Sequence, residues 1–211
     1  MIKVTEIFTS IQGESSYAGL PCTFIRLSGC NLRCKYCDTQ YAFKEGYKMS
    51  LPNIINEIKK SGLGLIEVTG GEPLLQKDVF PLITKLLDEG YKVLVETNGS
   101  INIKDVDKRA IIILDIKTPN SNMLEKMDFS NLDMIKKDDE IKFVITDRED
   151  YEWSLDFIHK NSLHSKCHIL MSPAYGFLKP DKLAKWIIDD KLNVRLNIQI
   201  HKYIFGDNRK T

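Results

Sequence analysis

The sequence predicts an α/β fold: an open, partial TIM-like barrel of about six parallel βα units, forming a single domain over 1–211. Three observations lead there. Short β-branched runs alternate with longer stretches of helical periodicity, the pattern of βαβ units with right-handed crossovers. The run "AIIILDIK" (110–117) is almost wholly apolar, as a parallel strand buried on both faces must be. A chain of 211 residues is also short for a closed eight-unit barrel, which takes ~250.

Each element has its own warrant. "CTFIRLS" (22–28) reads as the first strand of the barrel. "LPNIINEIKKSG" (51–62) reads as a helix, with Ile54, Ile55 and Ile58 on one face and Gly62 ending it. "LIEVTG" (65–70) is the second strand, and "LLQKDVFPLITKLLDEG" (74–90) a helix with Pro81 in a first turn or at a kink. "YKVLVETNG" (91–99), "AIIILDIK" (110–117), "EIKFVIT" (140–146), "CHILMSP" (167–173) and "NVRLNIQIH" (193–201) supply the remaining strands, with helices near 147–161 and 179–190. No internal repeat, low-complexity segment or Pro/Ser linker interrupts them.

Composition narrows the function. A 43% hydrophobic content fills a core, and 30 basic against 29 acidic residues leave a net charge of +1. That balance exerts no long-range pull on nucleic acid or anionic lipid, so neither is an expected partner. The opening "MIKVTEIFTSIQ" has no apolar signal core. No apolar run approaches the roughly 20 residues a membrane span needs, so a cytoplasmic location is expected. Five cysteines, an odd number with three of them bunched, point to reduced thiols that bind metal rather than to a disulfide framework.

In a parallel α/β sheet, chemistry collects beyond the C-terminal ends of the strands. Here those exits carry the cysteine loop, "TGGEP" (69–73), "ETNG" (96–99), "DIKTP" (115–119), "MSPAYG" (171–176) and "QIHK" (199–202). The cysteine loop, "GCNLRCKYCDTQYAF" (29–43), places Cys30, Cys34 and Cys37 within eight positions. Thiolates hold zinc or an iron–sulfur cluster. A structural zinc would need Cys167 or a histidine as fourth ligand, and zinc sites usually show two separated ligand pairs. A 4Fe-4S cubane held by three cysteines leaves one iron without a protein ligand, the arrangement of a metal site that does chemistry. Arg33 and Lys35, interleaved with the cysteines, would offset its negative charge. Arg26, inside an apolar strand, either pairs with a buried acid or meets an anionic ligand. Cys22 and Cys167 read as small buried hydrophobes.

The spacing Cys30-x3-Cys34-x2-Cys37, with Tyr36 before the last cysteine and Gly70-Gly71-Glu72-Pro73 after the second strand, resembles the radical S-adenosylmethionine superfamily. More narrowly, "FTSIQGESSYAGLPCTFIRLSGCNLRCKYCDT" (8–39), "VTGGEP" (68–73), "LDIKTP" (114–119) and "IQIHKYIFGDNRK" (198–210) resemble the 7-carboxy-7-deazaguanine synthases, in order and over the whole chain. Activating enzymes of glycyl-radical enzymes share the cysteine motif but are not expected to carry "QGES", "CDT" and "QIHK" together.

The resemblance implies a reaction and a site. 6-Carboxy-5,6,7,8-tetrahydropterin would contract to 7-carboxy-7-deazaguanine with loss of ammonia, a lyase step toward queuosine and related 7-deazapurines. It implies a 4Fe-4S cluster on Cys30, Cys34 and Cys37, S-adenosylmethionine on the open iron, and magnesium held by Thr39. It also implies a homodimer and a reductant such as flavodoxin or ferredoxin. Cofactor contacts would come from Tyr36, Gly70, Gly71 and Glu72, from Asp115, Ile116 and Lys117, and from Ser172, Pro173, Ala174 and Tyr175. Gly70 and Gly71 would admit the methionyl part of the cofactor, and Glu72 would accept from its ammonium group. Ile11, Gln12, Gly13 and Glu14 would bind the pterin, with Arg26 on its carboxylate, Thr69 in contact and His201 nearby. Ser15 stands where many relatives have glycine, and the ending Arg209-Lys210-Thr211 departs from their pattern.

Overall fold

The computed structural model describes residues 1–206 and 208–210; Thr211, singled out above, lies outside them. Among these residues nine strands join one sheet. In chain order they are β1 (Ile2–Ile11), β2 (Pro21–Leu27), β3 (Tyr47–Met49), β4 (Leu65–Gly70), β5 (Lys92–Thr97), β6 (Ile111–Ile116), β7 (Glu140–Ile145), β8 (His168–Pro173) and β9 (Arg195–Leu196). Their spatial order is β3-β1-β2-β4-β5-β6-β7-β8-β9. From β2 to β9 all pairings are parallel, whereas β1 runs antiparallel to β2 and to β3. The sheet is curved but unclosed, with β3 and β9 at its edges.

The outer face carries the helices α1 (Leu51–Ser61), α2 (Val79–Asp88), α3 (Arg148–Lys160) and α4 (Pro180–Asp189). Strand residues such as Ile25, Val68, Val95, Leu114 and Phe143 pack there against Ile54 and Ile58, Leu82 and Leu86, Tyr151 and Leu183. Helix ends follow their local chemistry. Ser50 caps α1 by accepting from the Asn53 amide, and Gly62 at φ 66° ends it in the left-handed region. Pro81 falls in the first turn of α2, where its missing N–H costs nothing.

The inner face, one residue out of step along each strand, is apolar only at its lower end. Cys22, Phe24, Leu65, Leu94 and Ile113 form a small plug there, with Phe8 stacked on Phe24 at 5.0 Å. Above the plug the inner face turns polar, and the site begins.

Three features depart from the sequence expectation. β1, a strand not predicted above, forms the antiparallel shoulder of the barrel. The crossovers 98–110 and 117–139 contain no α-helix, only short 3-10 turns in the second. Buried Asn131 replaces the helix: it donates to the carbonyls of Gly99 and Ile101 and accepts from the Ile103 amide. Finally, the strand expected over 193–201 stops at Leu196, and Ile200–Phe205 forms a short helix, α5. Polar side chains take the chain off the sheet: Asn197 bonds Ser172 Oγ at 2.8 Å, and Gln199 reaches Glu14 Oε1 at 2.9 Å.

Candidate active site

A cavity of about 230 Å³ opens at the C-terminal ends of the parallel strands. All three clustered cysteines line it, half-buried, on the loop that follows β2. Cys30 Sγ is met by the Leu32 amide at 3.4 Å and by Asn98 Nδ2 at 3.7 Å. Burial pushes the Cys34 and Cys37 thiols up, while Lys117 pulls Cys34 back down.

The donor set fits a three-cysteine cluster. Cys22 and Cys167 are out of reach as fourth ligands: Cys22 packs in the lower plug and Cys167 against the main core. Among the described residues no three His, Cys, Asp or Glu side chains converge on a single-ion site, as a zinc staple requires. Cysteines around a cubane stand farther apart than around one ion.

The wall beside the cysteines fits a polar cofactor. Lys117 Nζ holds Asp115 Oδ2 at 2.8 Å, while Asp115 Oδ1 is buried without a partner among the described residues. A buried carboxylate oxygen left open on a cavity wall calls for a ligand donor. Lys117 also lies 5.9 Å from the Tyr36 ring centroid. Ser172, Pro173, Ala174 and Tyr175 line the same side. Ile116 does not: it faces the helices in the main core.

The glycine pair works differently from the expectation. Gly70 and Gly71 line the cavity, but a Cβ on either would overlap the backbone of Leu27 or Gly29. Two main chains cross there, joined by Gly71 N to Leu27 O at 3.2 Å and Glu72 N to Gly29 O at 2.8 Å. Glu72 is fully buried and already occupied, accepting from the amides of Leu74 (2.9 Å) and Asn98 (2.7 Å) and from the Thr97 hydroxyl. Its carboxylate ties the glycine turn to the exit of β5 and does not line the cavity.

Across the cavity stand the remaining expected residues, apart from Ile11, which pairs with Pro21 in the β1–β2 hairpin away from the cavity. Gln12 is buried, donating from Nε2 to Glu67 and accepting the Glu14 amide at 2.7 Å. Gly13 lies directly under the His201 ring, where a Cβ would overlap it, and its carbonyl accepts the Ile200 amide at 2.9 Å. Burial holds His201 below its ordinary pKa, against the pull of Glu14. Ser15 takes φ 63°, a conformation glycine adopts freely, and its hydroxyl accepts the Tyr17 amide at 3.1 Å. Thr69 donates to Glu96 at 3.1 Å. Thr39 donates to Asp38 Oδ1 at 3.0 Å, and Asp38 Oδ2 accepts from Lys202 at 2.7 Å and Gln199 at 3.1 Å. Against burial, those partners hold the Asp38 carboxyl well below its usual range. Arg26 pairs with buried Glu6, Nε to Oε1 at 2.9 Å.

Sequence reasoning missed the floor of the site. Glu67 on β4, Glu96 on β5 and Lys142 on β7 all line the cavity. Lys142 contacts Glu96, Glu14 at 3.1 Å and Asp115 at 3.9 Å. Against burial, those three carboxylates hold Lys142 well above its ordinary pKa. Burial, with Glu96 and Glu14 nearby, pushes Glu67 well up. The signal was present: a charged residue inside an apolar strand, the same signal that singled out Arg26.

The radical SAM superfamily pattern matches residues 24–171. The 7-carboxy-7-deazaguanine synthase of Koribacter versatilis is 42% identical, covering 99% of each chain. That of Chlorobaculum tepidum is 40% identical over 99% of this chain and 96% of its own. That of Thermoplasma acidophilum is 38% identical over 97% of each. A crystal structure of QueE from Escherichia coli superposes with a TM-score of 0.78 over 94% of this chain and 93% of that one, and at 22% identity it shows the shared fold. The chain therefore belongs to the radical SAM superfamily and, within it, to the 7-carboxy-7-deazaguanine synthases.

Proposed function

We propose that this chain converts 6-carboxy-5,6,7,8-tetrahydropterin to 7-carboxy-7-deazaguanine, releasing ammonia. The observation that carries the reading is one cavity that joins a three-cysteine loop to a facing wall of buried, mutually paired acids and bases. When bound, the cluster and S-adenosylmethionine would supply the radical chemistry, a reversible removal of one substrate hydrogen. The chain's own residues bind and orient. Cys30, Cys34 and Cys37 would hold the cluster, with Asp115, Lys117 and the 172–175 segment along the cofactor. Gln12 and Glu14 suit the amide-like and donor-rich edge of an aminopyrimidinone, whose buried polar groups need partners. Arg26 would take the carboxylate, and Thr39, held by Asp38, offers a hard oxygen to magnesium. α5, seated on Gly13, limits water access from the open side of the barrel.

The same reading carries a cytoplasmic setting, a homodimer and a small redox protein such as flavodoxin or ferredoxin as reductant. Among the described residues, no helix is long and apolar enough to cross a membrane.

Anaerobic reconstitution with iron and sulfide, followed by reductant, S-adenosylmethionine, magnesium and the pterin, should yield the deazapurine. Cofactor cleavage without that product would reject the substrate, and a colourless zinc-loaded protein would reject the chemistry. Thr39→Ala should lose magnesium stimulation while keeping its iron; unchanged magnesium dependence would reject that role.

A further inference from the structure

The register of β1 against β2 slips between Val4 and Glu6: Val4 opposes Leu27, while Glu6 opposes Arg26. Val4 and Leu27 belong to the outer core. An extra residue at Thr5 therefore turns Glu6 onto the inner face, beside Arg26. Bulges of this kind re-aim a side chain, often next to a site. Without it, strand alternation would place Glu6 in the apolar core with Ile2 and Val4.

Glu6 is 6% exposed, and one of its oxygens accepts two bonds: Arg26 Nε at 2.9 Å and the Tyr41 hydroxyl at 2.9 Å. Only Nε of Arg26 is engaged in this way. Its terminal amino groups make no hydrogen bond among the described residues, and the side chain lines the cavity, with Phe8 5.7 Å away on its flank. Tyr41 belongs to the turn just after Thr39, so the same carboxylate also ties down the end of the cysteine loop. A buried ion pair is a poor device for stability, because desolvation offsets most of its attraction. Held through Nε, however, a guanidinium presents its two terminal groups as a planar fork, the geometry that matches a carboxylate.

We infer that Glu6 is a positioning residue for substrate selection: it fixes Arg26 through Nε so that its fork receives the carboxylate of the pterin. Tyr41 fixes Glu6 in turn. The inference rests on the assignment of Arg26 to that carboxylate.

The test is a ratio of affinities. Cluster-loaded protein with S-adenosylmethionine and no reductant is titrated with 6-carboxytetrahydropterin and with tetrahydropterin lacking the carboxylate. Glu6→Ala should weaken binding of the carboxylated ligand about tenfold, the loss of one oriented charge-assisted contact, and leave the other ligand unchanged. Glu6→Asp, too short to reach Nε, should do the same and carries the test if the alanine variant does not fold. Glu6→Gln, which keeps an acceptor, should stay within about threefold of the parent. Equal weakening of both ligands, or an unchanged ratio in the alanine and aspartate variants, overturns the inference. Arg26→Lys separates the two layers. If it collapses the ratio while the Glu6 variants do not, the positioning role alone falls. If it leaves the ratio intact, the Arg26 assignment falls and the inference with it.

Discussion

Replacing Lys142 with methionine tests the electrostatic floor of the site. The side chain is 7% exposed, and its ammonium sits among Glu14, Glu96 and Asp115. Methionine keeps the stem volume and removes the charge, stranding three carboxylates around a buried point. Breaking a buried pair from one side costs roughly 3–5 kcal/mol. At roughly 2–4 °C per kcal/mol for a chain of this size, Tm should fall by roughly 6–20 °C. The deficit should also depend on pH. Against burial, Lys142 holds Glu96 below its ordinary value. A depressed carboxylate contributes stability that is present above its unfolded pKa and is lost as pH falls through the folded one. The parent loses that contribution in acid, whereas the variant never has it, so the gap between them narrows as pH drops. Anaerobic thermal unfolding at pH 7.5 and at pH 4, below the ordinary carboxylate value of 4.5, reads both effects. A variant within 2 °C of the parent at pH 7.5, or a gap that widens in acid, would refute the reasoning.

Other predictions follow from neighbouring contacts. Burial pushes Glu72 up to about 7 from the ordinary 4.5, although two amides and a hydroxyl pull it down. The folded state therefore binds a proton the unfolded chain releases, and stability should decline by up to about 3 kcal/mol as pH rises across that window. Glu72→Gln should flatten that slope in urea titrations at stepped pH; an unaltered slope would remove Glu72 as its source. Gly13→Ala should push His201 off its seat, loosening α5 and cutting turnover at least about tenfold with iron content intact, a shift of the order expected for a misplaced binding element. Asn131→Ala strands the Gly99 and Ile101 carbonyls and the Ile103 amide and should cost about 3 kcal/mol in denaturant unfolding.

The strands of the parallel sheet were legible because burial on both faces leaves an apolar run that few other elements produce. "AIIILDIK" and "LIEVTG" emerge as β6 and β4. β1 was missed because its alternation is broken at Thr5 by the very bulge that serves the site. What holds the helix-free crossovers was not legible, because Asn131 satisfies backbone groups at a distance in sequence, and local periodicity carries no trace of such a tie. At the site, the cysteine loop was legible from spacing alone. Glu72 was not, because a motif names a residue without saying which way its carboxylate faces. Lys142, Glu67 and Glu96 were readable in principle: each sits at an inward step of an apolar strand, as Arg26 does, and a buried charge needs a partner wherever it occurs.

The unclosed sheet sets how the cavity can breathe. In a closed barrel, widening the mouth means breaking ladder hydrogen bonds strand by strand. Here β9 and the β1–β2 hairpin share no ladder. Their seam is crossed by α5 through a main-chain bond to Gly13 and by Asn197 and Gln199 reaching Glu14. Each such bond is worth about 1 kcal/mol net. The mouth of the cavity can thus widen along that seam without breaking a single ladder bond of the parallel sheet.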